Sequence, residues 1–143
     1  MILPDINVLV YAYDRASPHH TAYRTWLQNL LAGDAAFGLS DVVLSGFLRI
    51  VTHARILTVP LPIGEALAIV EELRGHPNCV VINPGQRHWR IFTGLCDHIN
   101  ATANSVPDAY LAAIAIESGS LWLTADKGFA RFPGLKWSHP LGG

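Results

Sequence analysis

NSVPDAYLAAIAIESGSLWLTAD, residues 104–126, carries a helix pattern, a strand pattern and two well-separated carboxylates. After Asp108 come Leu111, Ala112, Ile114, Ala115 and Ile116, and no charge returns until Glu117. A helix this apolar is buried on most sides, with Pro107 suited to its first helical position. LWL, 121–123, follows as a short apolar strand. A lone carboxylate at the mouth of a buried helix is costly unless something partners it. Asp108 therefore needs an explanation from elsewhere in the chain.

The same alternation extends in both directions. The opening MILPDINVLVYAYD is a short β-type segment interrupted by Pro4, then more apolar residues. Ser17-Pro18 is a cap and first residue for a helix with Tyr23, Trp26, Leu27, Leu30 and Leu31 as its buried stripe, ended by Gly33. AAFGL is a strand candidate, and Ser40 caps a helix carrying Val43, Leu44, Phe47, Leu48 and Val51. A loop at Pro60 and Pro62 leads to a helix over 63–74. CVVI, 79–82, is a strand candidate, followed by a helix over 86–101 with Trp89, Ile91, Phe92 and Leu95 on its apolar side. A turn of helix near Phe129 and a strand near Leu135–Trp137 complete the pattern. Short strands alternating with longer helices predict an α/β fold with a mainly parallel sheet. No repeat or linker divides it, so one domain over 1–143 is expected.

Half of the 143 residues are hydrophobic and 15% are charged. No apolar run is long enough to span a bilayer, and MILPD lacks the pattern of a signal peptide, so a cytoplasmic location without membrane association is expected. Cys79 and Cys96 form no zinc or CxxC spacing and read as reduced packing residues. A net charge of −1 leaves any nucleic-acid site to a local patch. The apolar surplus is covered either by a homodimer or partner protein, or by a well-filled core.

Ligand sites of open parallel sheets lie beyond the carboxyl ends of the strands. Asp5 follows ILP directly, Asp126 follows LWL across Thr124 and Ala125, and Asp108 lies near a helix start. All three are thus expected on one rim. Each taken singly has an ordinary role at a helix start or turn. Converging carboxylates repel unless a cation neutralises them, and Mg²⁺ or Mn²⁺ is the natural one for oxygen ligands. Asn7 offers an amide to orient a carboxylate or bind a phosphate oxygen, and Thr124 a hydroxyl on the same rim. A turn for Asn7 and a helix cap for Thr124 are the structural alternatives. For phosphate contact, Arg49 and His53 stand four apart on one helical face, with Arg55 beyond; Arg87 and Arg90 flank Trp89, and Lys127 adjoins Asp126. The seven histidines show no HExxH spacing, and Ser45-Gly46 lacks a G-x-S-x-G elbow.

DINVLVYAYD, SPHHTAYRTWL, VVLSGFLRIVTH, PDAYLAAIA and LTADKGFARFPGLKW, in that order, resemble a PIN domain of the VapC type, the toxins of bacterial toxin–antitoxin pairs. The resemblance covers nearly the whole chain. It implies an α/β/α sandwich and a Mg²⁺-dependent ribonuclease, with Asp5, Asp108 and Asp126 on the acidic motif positions. It also implies a homodimer and a cognate antitoxin whose segment fills the active-site groove. Two positions depart from the pattern: Gly46 stands where a Glu is usual and Gly128 where a further acid is frequent. Arg49 is the favoured RNA contact because it shares a helix with Gly46. One tightly held ion, joined by a second only with substrate, is one consequence; a degenerate domain that binds RNA or antitoxin without cutting is the other. A phosphatase or dehalogenase with Asp5 as nucleophile fits less well, since DINV has Asn7 where a second acid is usual and no cap domain is present. A phospho-receiver is more distant still, having a single N-terminal acid.

Overall fold

The strand patterns form five short parallel strands in the computed structural model, which describes residues 1–142. They are β1 (Ile2–Pro4), β2 (Phe37–Leu39), β3 (Cys79–Val81), β4 (Leu121–Leu123) and β5 (Trp137–Ser138). The sheet order is β3-β2-β1-β4-β5. The chain thus builds outward from β1 to β3, then returns to the other side of β1 for β4 and β5. That reversal leaves a crevice beyond the ends of β1 and β4. Ile2, Leu3 and Pro4 pair in register with Leu121, Trp122 and Leu123, and the Asp5 N–H continues the ladder to the Leu123 carbonyl at 2.8 Å. This register brings Asp5 alongside Thr124, 119 residues away in sequence.

Among the described residues six helices cover the sheet: α1 (Ile6–Tyr13), α2 (His20–Ala32), α3 (Asp41–Val51), α4 (Ile63–Arg74), α5 (His88–Ile99) and α6 (Ser105–Ser118). A one-turn 3₁₀ helix follows at Lys127–Arg131. Helix α1 packs on α2 and α3, and α3 on α4, while α5 and α6 pack on each other. Successive strand residues point to opposite faces, yet Trp122 and Leu123 are both buried, as are all three residues of β2. Both faces of the sheet are therefore covered, giving the three-layer α/β/α arrangement. Among the described residues no helix is long and apolar enough to cross a membrane.

Several local expectations shift. The apolar residues after Asp5 form α1, which buries Val8, Leu9, Val10 and Ala12. Helix α2 begins at His20 because Ser17 makes a turn instead: its hydroxyl accepts from the His19 N–H and its carbonyl from the His20 N–H. In α6 the N-cap is Asn104, which puts Pro107 at the third helical position. The first three helical N–H groups have no intrahelical partner, so Pro107 costs no bond there. The next residue, Asp108, donates its N–H to the Asn104 carbonyl. Ser40 stands at the N-cap of α3 without a capping bond, its hydroxyl buried and unpartnered. Trp89 is 66% exposed, because the buried stripe of α5 runs through His88, Ile91, Phe92 and Leu95, one position around the helix. The last strand, expected near Leu135–Trp137, starts at the end of that segment, at Trp137.

A well-filled core accounts for much of the apolar surplus, with Trp122, Phe37, Phe47 and Phe129 among its largest members. Ile63 and Leu67 on α4, Val80 and Val81 on the edge strand β3, and Trp89 remain exposed.

Candidate active site

The crevice beyond β1 and β4 is a cleft of about 480 Å³ that contains Asp5, Asn7, Asp108 and Asp126 together. Their elements explain the meeting. Asp5 is the N-cap of α1, Asp108 lies in the first turn of α6, and Asp126 is the N-cap of the 3₁₀ turn. Ile6, Ile50, Ile56, Leu57, Leu111 and Phe129 form apolar walls around them.

Asp5 is the anchored member, only 5% exposed. One carboxylate oxygen, Oδ1, accepts the Ile6 N–H at 2.6 Å, and Oδ2 accepts the Thr124 hydroxyl at 2.7 Å. Thr124 is itself fully buried, and its oxygen accepts from the Asp126 N–H at 3.0 Å and the Asn7 amide at 3.3 Å. Asn7 Oδ1 in turn accepts the Ala125 N–H at 3.3 Å. Both supporting residues thus hold the strand-end loop against α1. Thr124 supports the carboxylate directly and does not cap the 3₁₀ turn. That bond is made by Asp126, whose Oδ1 accepts the Gly128 N–H at 2.8 Å.

The electrostatics are those of a site short of positive charge. Burial raises the Asp5 pKa to about 6 from the ordinary 3.8, against the pull of its Thr124 and Ile6 bonds; Asp108 and Asp126 repel it further. Burial likewise raises Asp108, and Asp126 adds to the effect, while the Arg131 guanidinium opposes both. Arg131 Nη2 donates to Asp108 Oδ2 at 3.0 Å. Among the described residues no hydrogen bond reaches Asp108 Oδ1 or Asp126 Oδ2, and no three His, Cys, Asp or Glu side chains stand close enough to enclose a metal ion as placed. The donor chemistry nonetheless fits a hard divalent cation. Its oxygens are carboxylate, two of them are unused, and the most buried carboxylate is held ionised at neutral pH at a cost that a cation would relieve.

That cost has a pH signature. A folded pKa above the unfolded value means that the Asp5 contribution to stability is complete below about pH 4 and lost as pH rises through about 6. The loss is about 3 kcal/mol for a shift of this size. Asp108 acts in the same direction. Asp41 and Glu117 act oppositely: Asp41 is lowered by Arg74 and Asn83, and for Glu117 burial, the largest single influence, raises the value but is outweighed by the Gly85 and Arg87 N–H groups together with nearby positive charge. Chelator-treated protein is therefore expected to lose stability in urea melts between pH 5 and pH 7. Mg²⁺ should return most of the loss at pH 7, and a flat profile would count against strained carboxylates in the cleft.

The cations anticipated for RNA lie outside the cleft lining. Arg49 is exposed in the last turn of α3, adjoining the lining residue Ile50. His53 does not share its helical face, because α3 stops at Val51; its Nδ1 accepts the Arg55 N–H at 3.1 Å within the following turn. Lys127 is exposed at the start of the 3₁₀ turn. Arg87 is occupied, its side chain donating to the Glu117 carbonyl while the Glu117 carboxylate accepts the Gly85 and Arg87 N–H groups. Two charged groups at the cleft were not anticipated: Arg131, and Asp14 at the far end of α1.

The site is thus a set of carboxylates gathered at the switch point of a parallel α/β sheet, with donors suited to a hard divalent cation. The pattern that defines the PIN domain matches residues 2–135. Ribonuclease VapC43 of Mycobacterium tuberculosis is 43% identical over 143 residues, covering 100% of this chain and 97% of that protein. Among solved structures, VapBC2 from Rickettsia felis, bound to a DNA fragment from its promoter, has a TM-score of 0.70 at 17% identity and covers 97% of this chain and 98% of its own. VapC20 of Mycobacterium tuberculosis, a toxin that cleaves the sarcin-ricin loop, has a TM-score of 0.66 at 14% identity, covering 95% and 99%. The chain belongs to the PIN domain family.

Proposed function

We propose that this chain is a Mg²⁺-dependent endoribonuclease, with Mn²⁺ as a possible substitute, acting as one domain in the cytoplasm as the toxin of a type II toxin–antitoxin pair. The observation that carries this reading is Asp5, a buried carboxylate facing Asp108 and Asp126 in one cleft. Full-length similarity to proteins named VapC ribonucleases supports the RNA substrate.

Asp5 and Asp108 would hold the ion most directly, with Asp126 as a third ligand or as the group that orients surrounding water. An ion held there would supply Lewis-acid polarisation of a phosphodiester and a lowered pKa for a bound water. The chain itself supplies position. Thr124 and the Ile6 N–H fix both oxygens of Asp5, so this carboxylate has one orientation before any ligand arrives. Asn7 ties down Ala125, and with it the approach of Asp126. The apolar walls shield Asp5, which is buried, from water, and this strengthens the charge interactions made by that carboxylate. Arg49, His53 and Lys127, exposed or half-exposed around this face, are the groups proposed to meet RNA phosphates beyond the scissile one.

A cognate antitoxin is proposed because structural neighbours include VapBC and other toxin–antitoxin complexes. A homodimer is proposed on the exposed apolar residues of α4, β3 and α5. The second reading, a PIN domain that binds RNA or antitoxin without cutting, is favoured by one observation: glycines at 46 and 128 leave the cleft without two further acids.

The test is a mixed tRNA and ribosomal RNA pool incubated with antitoxin-free protein while Mg²⁺ and Mn²⁺ are titrated. Cutting at discrete sites is expected, abolished by EDTA and reduced at least ~10²-fold in Asp108→Asn, as loss of a few kcal/mol of transition-state stabilisation implies. No cutting by folded protein at any metal concentration would leave the binding reading.

A further inference from the structure

Among the described residues one cation bonds a carboxylate of the cleft: Arg131, which is not itself among the lining residues. Arg131 is the last residue of the 3₁₀ turn and folds back across its own turn to Asp108. In a 3₁₀ helix, residues three apart lie one above the other. Gly128 and Arg131 are such a pair. A Cβ on Gly128 would stand 2.9 Å from Asp126 Oδ1 and 3.3 Å from Arg131 Nη1. The missing side chain thus leaves open the space between the Asp126 carboxylate and the guanidinium bonded to Asp108. The Phe132 ring lies 5.0 Å from the guanidinium carbon and supports it from another side.

This arrangement is a poor stability device. The Arg131 and Asp108 side chains are 40% and 28% exposed, and an ion pair so placed contributes little. It is a good device for phosphate. Arg131 uses Nη2 on Asp108 through one bond, and a guanidinium has five donors in a planar fork suited to phosphate oxygens. Two-ion phosphodiesterase sites place two divalent cations about 4 Å apart, one on the attacking and one on the leaving oxygen. Three carboxylates and water suffice to hold one such ion, and the positive charge already paired with one of these carboxylates belongs to Arg131.

We propose that Arg131 is the second cation of this site: with a single divalent ion on Asp5, Asp108 and Asp126, its guanidinium binds the scissile phosphate and stabilises the charge that a second ion otherwise takes. The inference rests on the ribonuclease reading. It makes Arg131 a catalytic residue and Gly128 the position that admits it.

The experiment compares wild type, Arg131→Met and Arg131→Lys, each checked for folding by circular dichroism. Mn²⁺ binding is measured without RNA, from the loss of the free-ion electron paramagnetic resonance signal. Cleavage is then followed across Mn²⁺ concentration on the RNA that wild type cuts. Wild type should bind one Mn²⁺ with a metal dependence of first order. Arg131→Met should bind that ion more tightly, having lost a neighbouring positive charge, yet show kcat reduced ~10²-fold, the usual effect of losing one transition-state charge contact. Its rate should recover partly at high Mn²⁺ with a steeper, second-order dependence, and Arg131→Lys should fall between the two. Weaker Mn²⁺ binding in Arg131→Met would mean that Arg131 only positions Asp108, and cutting as fast as wild type would mean that it only competes with the ion. Either overturns the proposal while the ribonuclease reading stands. A wild type that cuts nothing overturns that reading, and this one with it.

Discussion

Asp5→Asn, stripped of metal, is expected to unfold at a higher temperature than wild type at pH 7.5 while cutting RNA at least ~10³-fold more slowly. Both effects come from one cause. The wild-type carboxylate is held ionised in a buried position beside two other acids, with its pKa raised to about 6. Replacing it by an amide removes about 3 kcal/mol of that cost. The amide returns part of the gain, because its nitrogen cannot accept the Thr124 hydroxyl, a loss of about 1.5 kcal/mol for a bond to a charged group. The net is roughly 1–2 kcal/mol, or about 3–7 °C for a chain of this length. Differential scanning calorimetry in EDTA at pH 7.5 reads this directly. The comparison should reverse with saturating Mg²⁺, which stabilises only the protein that binds it. An Asp5→Asn melting point below wild type in EDTA would show that Asp5 is satisfied by its two donors and is not waiting for a cation.

The opposition between stability and function in Asp5 also bears on what could be read from the chain. The rim of three acids was legible because strand ends and helix starts are marked locally, by ILP, by LWL and by the break before Pro107. The Asp5–Thr124 bond follows from strand register, which pairs Pro4 with Leu123 and which three-residue strands reveal only in the fold. Helix α1 was ambiguous for another reason. NVLVYAY carries apolar residues at too many positions to separate a period of two from one of 3.6, and burial on most sides resolves it as helix. Trp89 was misplaced by one position, since apolar character alone does not say which of three adjacent aromatic and aliphatic residues faces inward. Arg131 was the costliest omission. Its signal was present in KGFAR, where a glycine three residues before an arginine predicts a shared face if the turn is 3₁₀. A helix read with period 3.6 hides that relation.

Glutamate at position 46 is expected to be tolerated only when Ile6 is cut back. Gly46 is not a void left by a missing acid. A Cβ there would stand 2.5 Å from Ile6 Cδ1 and 3.1 Å from Ile6 Cγ1, so the Ile6 side chain lies against the bare backbone of α3 while also lining the cleft. Gly46→Glu alone must push a β-branched side chain aside, costing about 1–3 kcal/mol. The better helix propensity of Glu returns less than about 1 kcal/mol of this. Ile6→Ala alone loses part of an apolar contact and leaves the cleft wall thinner. Together they should cost less than the sum, by about 1–2 kcal/mol, because each relieves the defect of the other. Urea melts of the four proteins in EDTA give this coupling, and additivity within about 0.5 kcal/mol would dissociate Ile6 from Gly46. The paired variant has a further consequence. With Ile6 shortened, the new carboxylate opens toward Asp5, so Mg²⁺ should stabilise Ile6→Ala/Gly46→Glu by more than it stabilises wild type. The hydrocarbon of Ile6 and the glycine beneath it then act as one unit that keeps a fourth charge out of the cleft. That exclusion suits the proposed single-ion site, since each added carboxylate raises the cost of holding Asp5 ionised in the absence of metal.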